Sequence, residues 1–334
     1  MFSFYQCKLK YKVIYCFFLS VFLLSCSEKS SQLTLRVGHT LDTEHSVHKA
    51  MLFMSERLEH HSNGAMNLKL YPSGQLGSER ELVELLQIGS LAMTKVSAAT
   101  LEGFVDDMRL FGLPYVFSSR DQRLAVLESD IGKDILNSLN YARLQGLGYF
   151  DAGSRSFYTC KKSVQKPSDV EGSKIRVMNS LNAVKMVEAF GGAATPISWG
   201  ELYAALQQGV VDGAENNPPS FYLSRHYEIC PNYTLNEHTS IPDVIIMSQH
   251  IFDNLTETQR GWLKLAMADA AKKQGEMWLA AENEALAAVK EAGVTVTYPD
   301  KAPFIAAVKH LHAKYDDSIV GEYLKRIAAM STEE

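Results

Sequence analysis

After residue 25 the chain has no apolar run long enough to span a bilayer, no stripe of basic residues and no cluster of metal-ligand type. The first absence excludes ordinary transmembrane helices from the body of the chain. The second argues against nucleic acid as a partner. Catalytic signatures are missing as well. No G-x-S-x-G elbow occurs, and Ser154 stands in GSR without a supporting pattern. There is no Walker loop, and GLGYF (146–150) is too weak for a dinucleotide fingerprint. His60 and His61, like His310 and His312, are spaced so that their imidazoles point to different helix faces. His45 and His48 share a face, but no carboxylate or cysteine at ligand spacing completes a metal set. All six read as solvated surface residues, and no metal or cofactor is expected.

Cysteine is scarce, with five in 334 residues. Cys7 and Cys16 fall in an N-terminal segment unlike the rest. There Lys8, Lys10 and Lys12 precede the apolar run VIYCFFLSVFLL, which ends in LLSC at Cys26. A positive stretch followed by a run of this length reads as a secretory signal (1–25), too short for a membrane span. LLSC resembles the bacterial lipobox, in which the cysteine is lipidated; a plain signal-peptidase site is the alternative. Removing 1–25 takes away three lysines and no acids, so the formal charge moves from −5 to −8. Cys160 and Cys230 then remain, and two cysteines in an oxidising compartment form a disulfide only if their Cα atoms come close.

What is present, at 46% hydrophobic and 21% charged, is one or two ordinary globular domains. After a polar tether (26–32), strand-like LTLRVG (33–38) leads into an amphipathic helix over 45–63, stopped at Gly64. A strand near 66–70 follows. Ser78 and Glu81 form a capping box for a helix over 79–88, closed by Gly89, and LAMTKV (91–96) is a strand. Alternation at this spacing predicts a largely parallel α/β sheet. Helices near 120–142 and a strand-rich 148–159 come next. A second series starts after Pro167: strand 174–178, helix 181–190, helix 199–208 and a strand over 210–213. Strand-like YTLNEH and PDVIIMS, an unbroken helical stretch over 257–291, a strand VTVTY and a helix across 302–327 complete the chain.

ELVELLQIG (81–89) is echoed by ELYAALQQG (201–209), 120 residues on. The echo predicts two similar α/β lobes facing across a cleft. Its register sets Lys95 opposite Glu215, and both are counted as ligand contacts. Gly209 stops the second helix, so a strand at Val210-Val211 delivers Glu215, Asn216 and Asn217 to a loop at its carboxyl end, where open α/β sheets bind ligands. Pro218-Pro219 ends the strand and stiffens that loop. Arg176 lies in the otherwise apolar strand KIRVM, where an unpaired guanidinium is costly. Either a neighbouring acid pairs with it or its planar fork meets a ligand carboxylate. Asn216, Glu215, Glu79, His39 and His238 are candidates to order sugar or hydroxy-acid oxygens. Trp199, at a helix start, reads as core or as an apolar wall against a sugar face.

Several stretches together resemble a known family: GHT (38–40), YPSGQLGSERE (71–81), LPYVF (113–117), GSRSFYT (153–159), DVEGSKIRV (169–177) and GVVDGAENNPPSFYLSRHYE (209–228). They are similar to the periplasmic substrate-binding subunit of tripartite ATP-independent periplasmic (TRAP) transporters, the DctP type, over about residues 33–325. The resemblance implies a non-enzymatic receptor with two α/β lobes closing on an organic acid and a long helix spanning both. It divides the chain into 33–150 plus 239–275 as lobe I and 151–238 plus 276–330 as lobe II. It implies that Arg176 clamps the ligand carboxylate, that Arg155 is a second basic contact and Asn216 an amide contact, and that Glu79 and His238 also touch the ligand. Asn179, just after the Arg176 strand, is counted as a further ligand contact. The ENN-P-P variant is similar to members that bind sugar acids such as glucuronate, galacturonate or ketogulonates. Cys160 stands where Asn or Ser is more usual, and a lipobox is not general in the family. The implied partners are an organic acid and the membrane permease subunits. The implied place is the periplasm, with a lipid anchor at Cys26. A subunit for another carboxylate (ketogulonate or a C4-dicarboxylate), a binding partner of a sensor, and a periplasmic enzyme on sugar acids are the competing readings.

Overall fold

The computed structural model describes residues 32–330; the signal segment and Cys26 lie outside them. The first strand, β1 (Leu33–Gly38), buries Leu35 and Val37. It leads to α1 (Ser46–His61), whose Val47, Ala50, Met51, Met54 and Leu58 recur at helical spacing and are all buried. Then β2 (Met66–Tyr71) is followed by α2 (Glu79–Gln87), opened by the expected Ser78–Glu81 capping box. Gly89 closes α2 at φ +74°, a conformation that suits glycine. β3 (Met93–Ser97) is buried along its length, as a central strand must be. Helices α3 (Arg120–Glu128) and α4 (Asp130–Ser138) precede β4 (Leu144–Phe150) and β5 (Arg155–Thr159).

The second series is β6 (Lys174–Val177), α5 (Leu181–Ala189), β7 (Ala193–Pro196), α6 (Trp199–Gln207), β8 (Gly213–Asn216) and α7 (Pro218–Leu223). β9 (Asn232–Thr239), β10 (Asp243–Ser248), α8 (Glu257–Glu291), β11 (Thr295–Thr297), α9 (Ala302–Ala313) and α10 (Ile319–Met330) follow. Two sheets result, with strand orders β2-β1-β3-β10-β4 and β11-β9-β5-β8-β6-β7. Each is the heart of one lobe. The echo survives in three dimensions: α2 and α6 begin 120 residues apart, as do β3 and β8. β3 lies parallel to β1 and antiparallel to β10, while β8 lies parallel to β6 and antiparallel to β5.

Three local expectations change, and one open pairing is decided. The sheets are mixed, since the chain crosses between them after β4, after β9 and again after β10, and β5 and β10 enter antiparallel to their neighbours. The strand expected at 210–213 runs over 213–216. Asp212 accepts from the Lys174 N–H and pairs with Lys161, which holds the preceding residues in a turn, and Gly213 makes the first close approach to β5. The single helix expected across 302–327 is two. The second of them, α10, sends Val320, Tyr323 and Ile327 into the cluster around Leu82, Val96 and Val244 on the first sheet, although 276–330 was assigned to lobe II. The pairing left open in sequence is made, and Cys160 and Cys230 form a disulfide within the second lobe. At about 1.5 Å per residue the 35-residue α8 runs some 52 Å. It packs on α1 of the first lobe and α7 of the second. Among the described residues no helix is long and apolar enough to cross a membrane.

Candidate functional site

Between the lobes lies a cavity of about 360 Å³, within the usual size range of small-molecule sites. The carboxyl ends of β3, β6 and β8 and the start of β10 reach it, through Lys95, Arg176, Asn216 and Asp243.

On the second-sheet side, Arg155 is 6% exposed and spends its guanidinium on its own sheet. Its Nε and Nη2 donate to the two carboxylate oxygens of Glu215, and Nη1 donates to Asn216 Oδ1 at 2.8 Å. Burial by itself would raise the Glu215 pKa, but the Arg155 charge outweighs it and holds the carboxyl down to about 2. Asn216 Oδ1 also accepts from the Asn217 N–H (2.9 Å), so the amide has its Nδ2 donors left for a ligand. Glu215 and Asn216 are strand residues, not loop residues. Asn217 caps α7, its Oδ1 accepting from the Ser220 N–H at 2.9 Å, and the two prolines occupy the first helical turn. Proline belongs there, where an N–H would have no intrahelical acceptor.

Arg176 differs from Arg155. It is 2% exposed, its Nε donates to the Ile197 carbonyl at 2.8 Å, and its Nη1 has no partner. Among the described residues no carboxylate forms an ion pair with it. Burial lowers its pKa, yet a guanidinium stays protonated. The neighbouring-acid alternative for Arg176 is therefore not met. Trp199 and Asn179 border the same cavity, Trp199 half-buried and leaning on His226 at a ring separation of 5.2 Å.

The first-sheet wall carries a different arrangement. Lys95 Nζ lies 3.0 Å from Glu79 Oε1 and 2.9 Å from Asp243 Oδ1, with the lysine 3% exposed. Burial favours a neutral amine, but the two carboxylates raise the Lys95 pKa above its ordinary value. Glu79 also accepts from the Ser97 N–H and, at 2.8 Å, from Thr100 Oγ1. Lys95 thus pairs within its own lobe and does not meet Glu215, whose cation is Arg155.

Of the expected contacts, Arg176, Arg155, Asn216, Glu79, Lys95, Trp199 and Asn179 border the cavity; Glu215, His238 and His39 do not. Glu215 lies behind Arg155. His238 is fully buried, with Nδ1 3.0 Å from Asn236 Oδ1 and Nε2 3.5 Å from Glu215. His39 is fully buried against His48 at 2.9 Å, and burial, with the Lys95 charge behind it, pushes its pKa to about 3. His45 and His48 are not solvated: both are buried, and His45 borders the cavity. His45 Nδ1 accepts from the Val47 N–H as the α1 cap, and burial followed by the Lys95 charge takes its pKa to about 3. Of the other four, His61 pairs with Asp269 at 2.8 Å and His312 reaches the Pro114 carbonyl at 2.7 Å. Asp243 was missed altogether, since in sequence it is only the polar first residue of an apolar strand.

Residues 37–318 match the family described as DctP, bacterial extracellular solute-binding protein, family 7. YiiZ of Salmonella typhimurium is 34% identical over 280 residues, 83% of this chain and 85% of that one. A TRAP periplasmic solute-binding protein from Xanthobacter autotrophicus Py2, solved with bound β-D-galacturonate, is 34% identical and superposes with a TM-score of 0.86 over 88% of this chain and 99% of that one. One from Pseudomonas putida F1 with bound D-glucuronate is 34% identical, with a TM-score of 0.86 over 89% and 97%.

Proposed function

Since this chain belongs to the bacterial extracellular solute-binding proteins of family 7, the DctP family, we propose that its ligand is a hexuronate such as D-glucuronate or D-galacturonate, held by its carboxylate at Arg176. The chain is a periplasmic solute receptor of a TRAP transporter and not an enzyme. It serves membrane permease subunits. In the finer reading Cys26, in LLSC, carries a lipid that tethers the receptor to the membrane.

The observation that carries the ligand class is the Arg176 guanidinium, buried in the cavity with Nη1 unsatisfied and no acid beside it. A buried charge in that state is costly until an anion arrives. A carboxylate supplies that anion in a geometry matched to the fork. Asn216 Nδ2 and Asn179 are placed to hydrogen-bond ligand oxygens, and Trp199 offers a flat apolar face to a sugar ring. The hexuronates bound in the two similar structures support the choice of acid.

A thermal-shift panel of organic acids tests this. A ligand at about 100 times its Kd adds about 2.7 kcal/mol to stability, several degrees in a protein of this size. Hexuronates should lead C4-dicarboxylates and sialic acid. A melt shifted only by dicarboxylates would overturn the ligand assignment.

A further inference from the structure

The two walls of the cavity do not carry the same charge. On the second-sheet side Arg155 is neutralised by Glu215, and Arg176 leaves a surplus of one positive charge. On the first-sheet side one cation, Lys95, is held between two carboxylates, Glu79 and Asp243. Burial and the Glu79 charge raise the Asp243 pKa and Lys95 opposes them; with both acids ionised the wall has a surplus of one negative charge. His45 on that side is neutral. Arg80 also borders the cavity, but its side chain is 53% exposed, paired with Glu84 at 3.1 Å and lying over the Phe104 ring, so it belongs to the mouth.

The two acids of that wall are not equally occupied. Glu79 accepts from Lys95, the Ser97 N–H and Thr100. Asp243 gives Oδ1 to Lys95, and among the described residues no donor is found for its Oδ2. We infer that Asp243 is a specificity-determining residue, accepting a hydrogen bond from a ligand hydroxyl and turning away any ligand that would set a second carboxylate against the first-sheet wall. This rests on the proposal that one ligand carboxylate sits at Arg176. It adds that the opposite end of the ligand must be uncharged and rich in donors. Polyhydroxy acids with one carboxylate qualify, whereas aldaric acids and other dicarboxylates are refused by like-charge contact in a poorly solvated space.

Calorimetric titration with D-galacturonate, D-galactonate and galactarate tests it. The last two are both open-chain and differ only by the second carboxylate. The wild type should bind galactonate at least about 30-fold more tightly than galactarate, since like-charge contact across a binding site is costly. In Asp243→Asn, galacturonate should weaken about tenfold with the loss of a charged acceptor, while galactarate should tighten, shrinking the galactonate-to-galactarate gap at least tenfold. Glu79→Gln removes one charge from the same wall and should shrink that gap too, which keeps the test open if Asp243→Asn does not fold. Galactarate binding the wild type as well as galactonate does, or a gap unchanged in both variants, would overturn the inference. If no uronate binds but another monocarboxylate does, the uronate proposal falls, and that acid with its aldaric counterpart repeats the comparison. Binding by dicarboxylates alone overturns both.

Discussion

At Arg176 the guanidinium is held by one hydrogen bond to the Ile197 carbonyl and is otherwise open to the cavity. A lysine at this place brings the charge but neither the fork nor a donor geometry able to reach Ile197 and a ligand together. Arg176→Lys should therefore weaken hexuronate binding by roughly 2–4 kcal/mol, the usual loss for one side of a desolvated charge pair. That is about 30- to 1000-fold in Kd by titration calorimetry. The methyl ester of the same sugar should bind the wild type poorly and lose little more in the variant; ester and acid binding alike would remove the clamp. Lys95 makes the opposite case. It sits between Glu79 and Asp243, so Lys95→Ala leaves two carboxylates facing each other in a buried place. The expected loss is about 3–5 kcal/mol of folding stability, typical of breaking one side of a buried ion pair. A melting temperature within a degree of wild type would show that the acids do not depend on that lysine.

Among the elements, β8 decides where the site's polar residues stand. An added Cβ on Gly213 would lie 2.4 Å from the Tyr158 carbonyl and 3.0 Å from the Thr159 Cα, both backbone. Neither neighbour can turn away, so Gly213→Ala should push β8 off β5 and move Glu215 and Asn216 with it. The expected cost is about 1–3 kcal/mol, as for overpacking, with weaker ligand binding in the same titration. Gly275, inside α8, meets nothing within 4 Å. Gly275→Ala should stabilise by about 0.5–1 kcal/mol through helix propensity alone, and a destabilised Gly275→Ala would point to a bend that α8 needs. These elements were legible in unequal degree. The capping box at Ser78, the stops at Gly64, Gly89 and Gly209 and the unbroken α8 are local grammar and stand in the structure where the spacing put them. The strand at 213–216 was misplaced, because Val210-Val211 advertises a strand while the actual pairing is set by where β5 lies.

Across the whole molecule the lobes are joined by more than the three crossovers between strands. Gln274 of α8 bonds both the N–H and the carbonyl of Asp151 beside the first crossover, at 2.8 and 2.7 Å. Tyr115, on the first-lobe side, donates its N–H to the His238 carbonyl of β9 at 2.9 Å. Glu102, beyond β3, reaches Ser180 at the start of α5, whose hydroxyl donates to it at 2.8 Å. Burial of Glu102 outweighs these donors and pushes its pKa up to about 8. The folded protein therefore holds a proton that the unfolded chain releases near 4.5. Stability from this group is full below about pH 4.5 and is lost as the pH rises towards 8. Glu102→Gln should raise folding stability at pH 8.5 by on the order of 4 kcal/mol, read as a higher melting temperature, and leave it nearly unchanged at pH 4.5. Equal shifts at both pH values would mean that folding does not raise the pKa of this carboxyl.

Periodicity, caps and glycine stops in the sequence were enough for the α/β class, the doubled helix–strand unit and a basic residue inside an apolar strand. They carry that information because each depends on neighbours three or four residues away. The state of the charges was decided only by tertiary structure. Arg155 meets Glu215 across 60 residues, and Asp243 completes the Lys95 pair from a strand that returns out of the other lobe. His45 and His48, polar in the sequence, are buried where α1 meets the cavity wall and the neighbouring His39. Arg176 is distinguished from the other cations by what fails to arrive beside it, and no spacing along a chain records an absent partner.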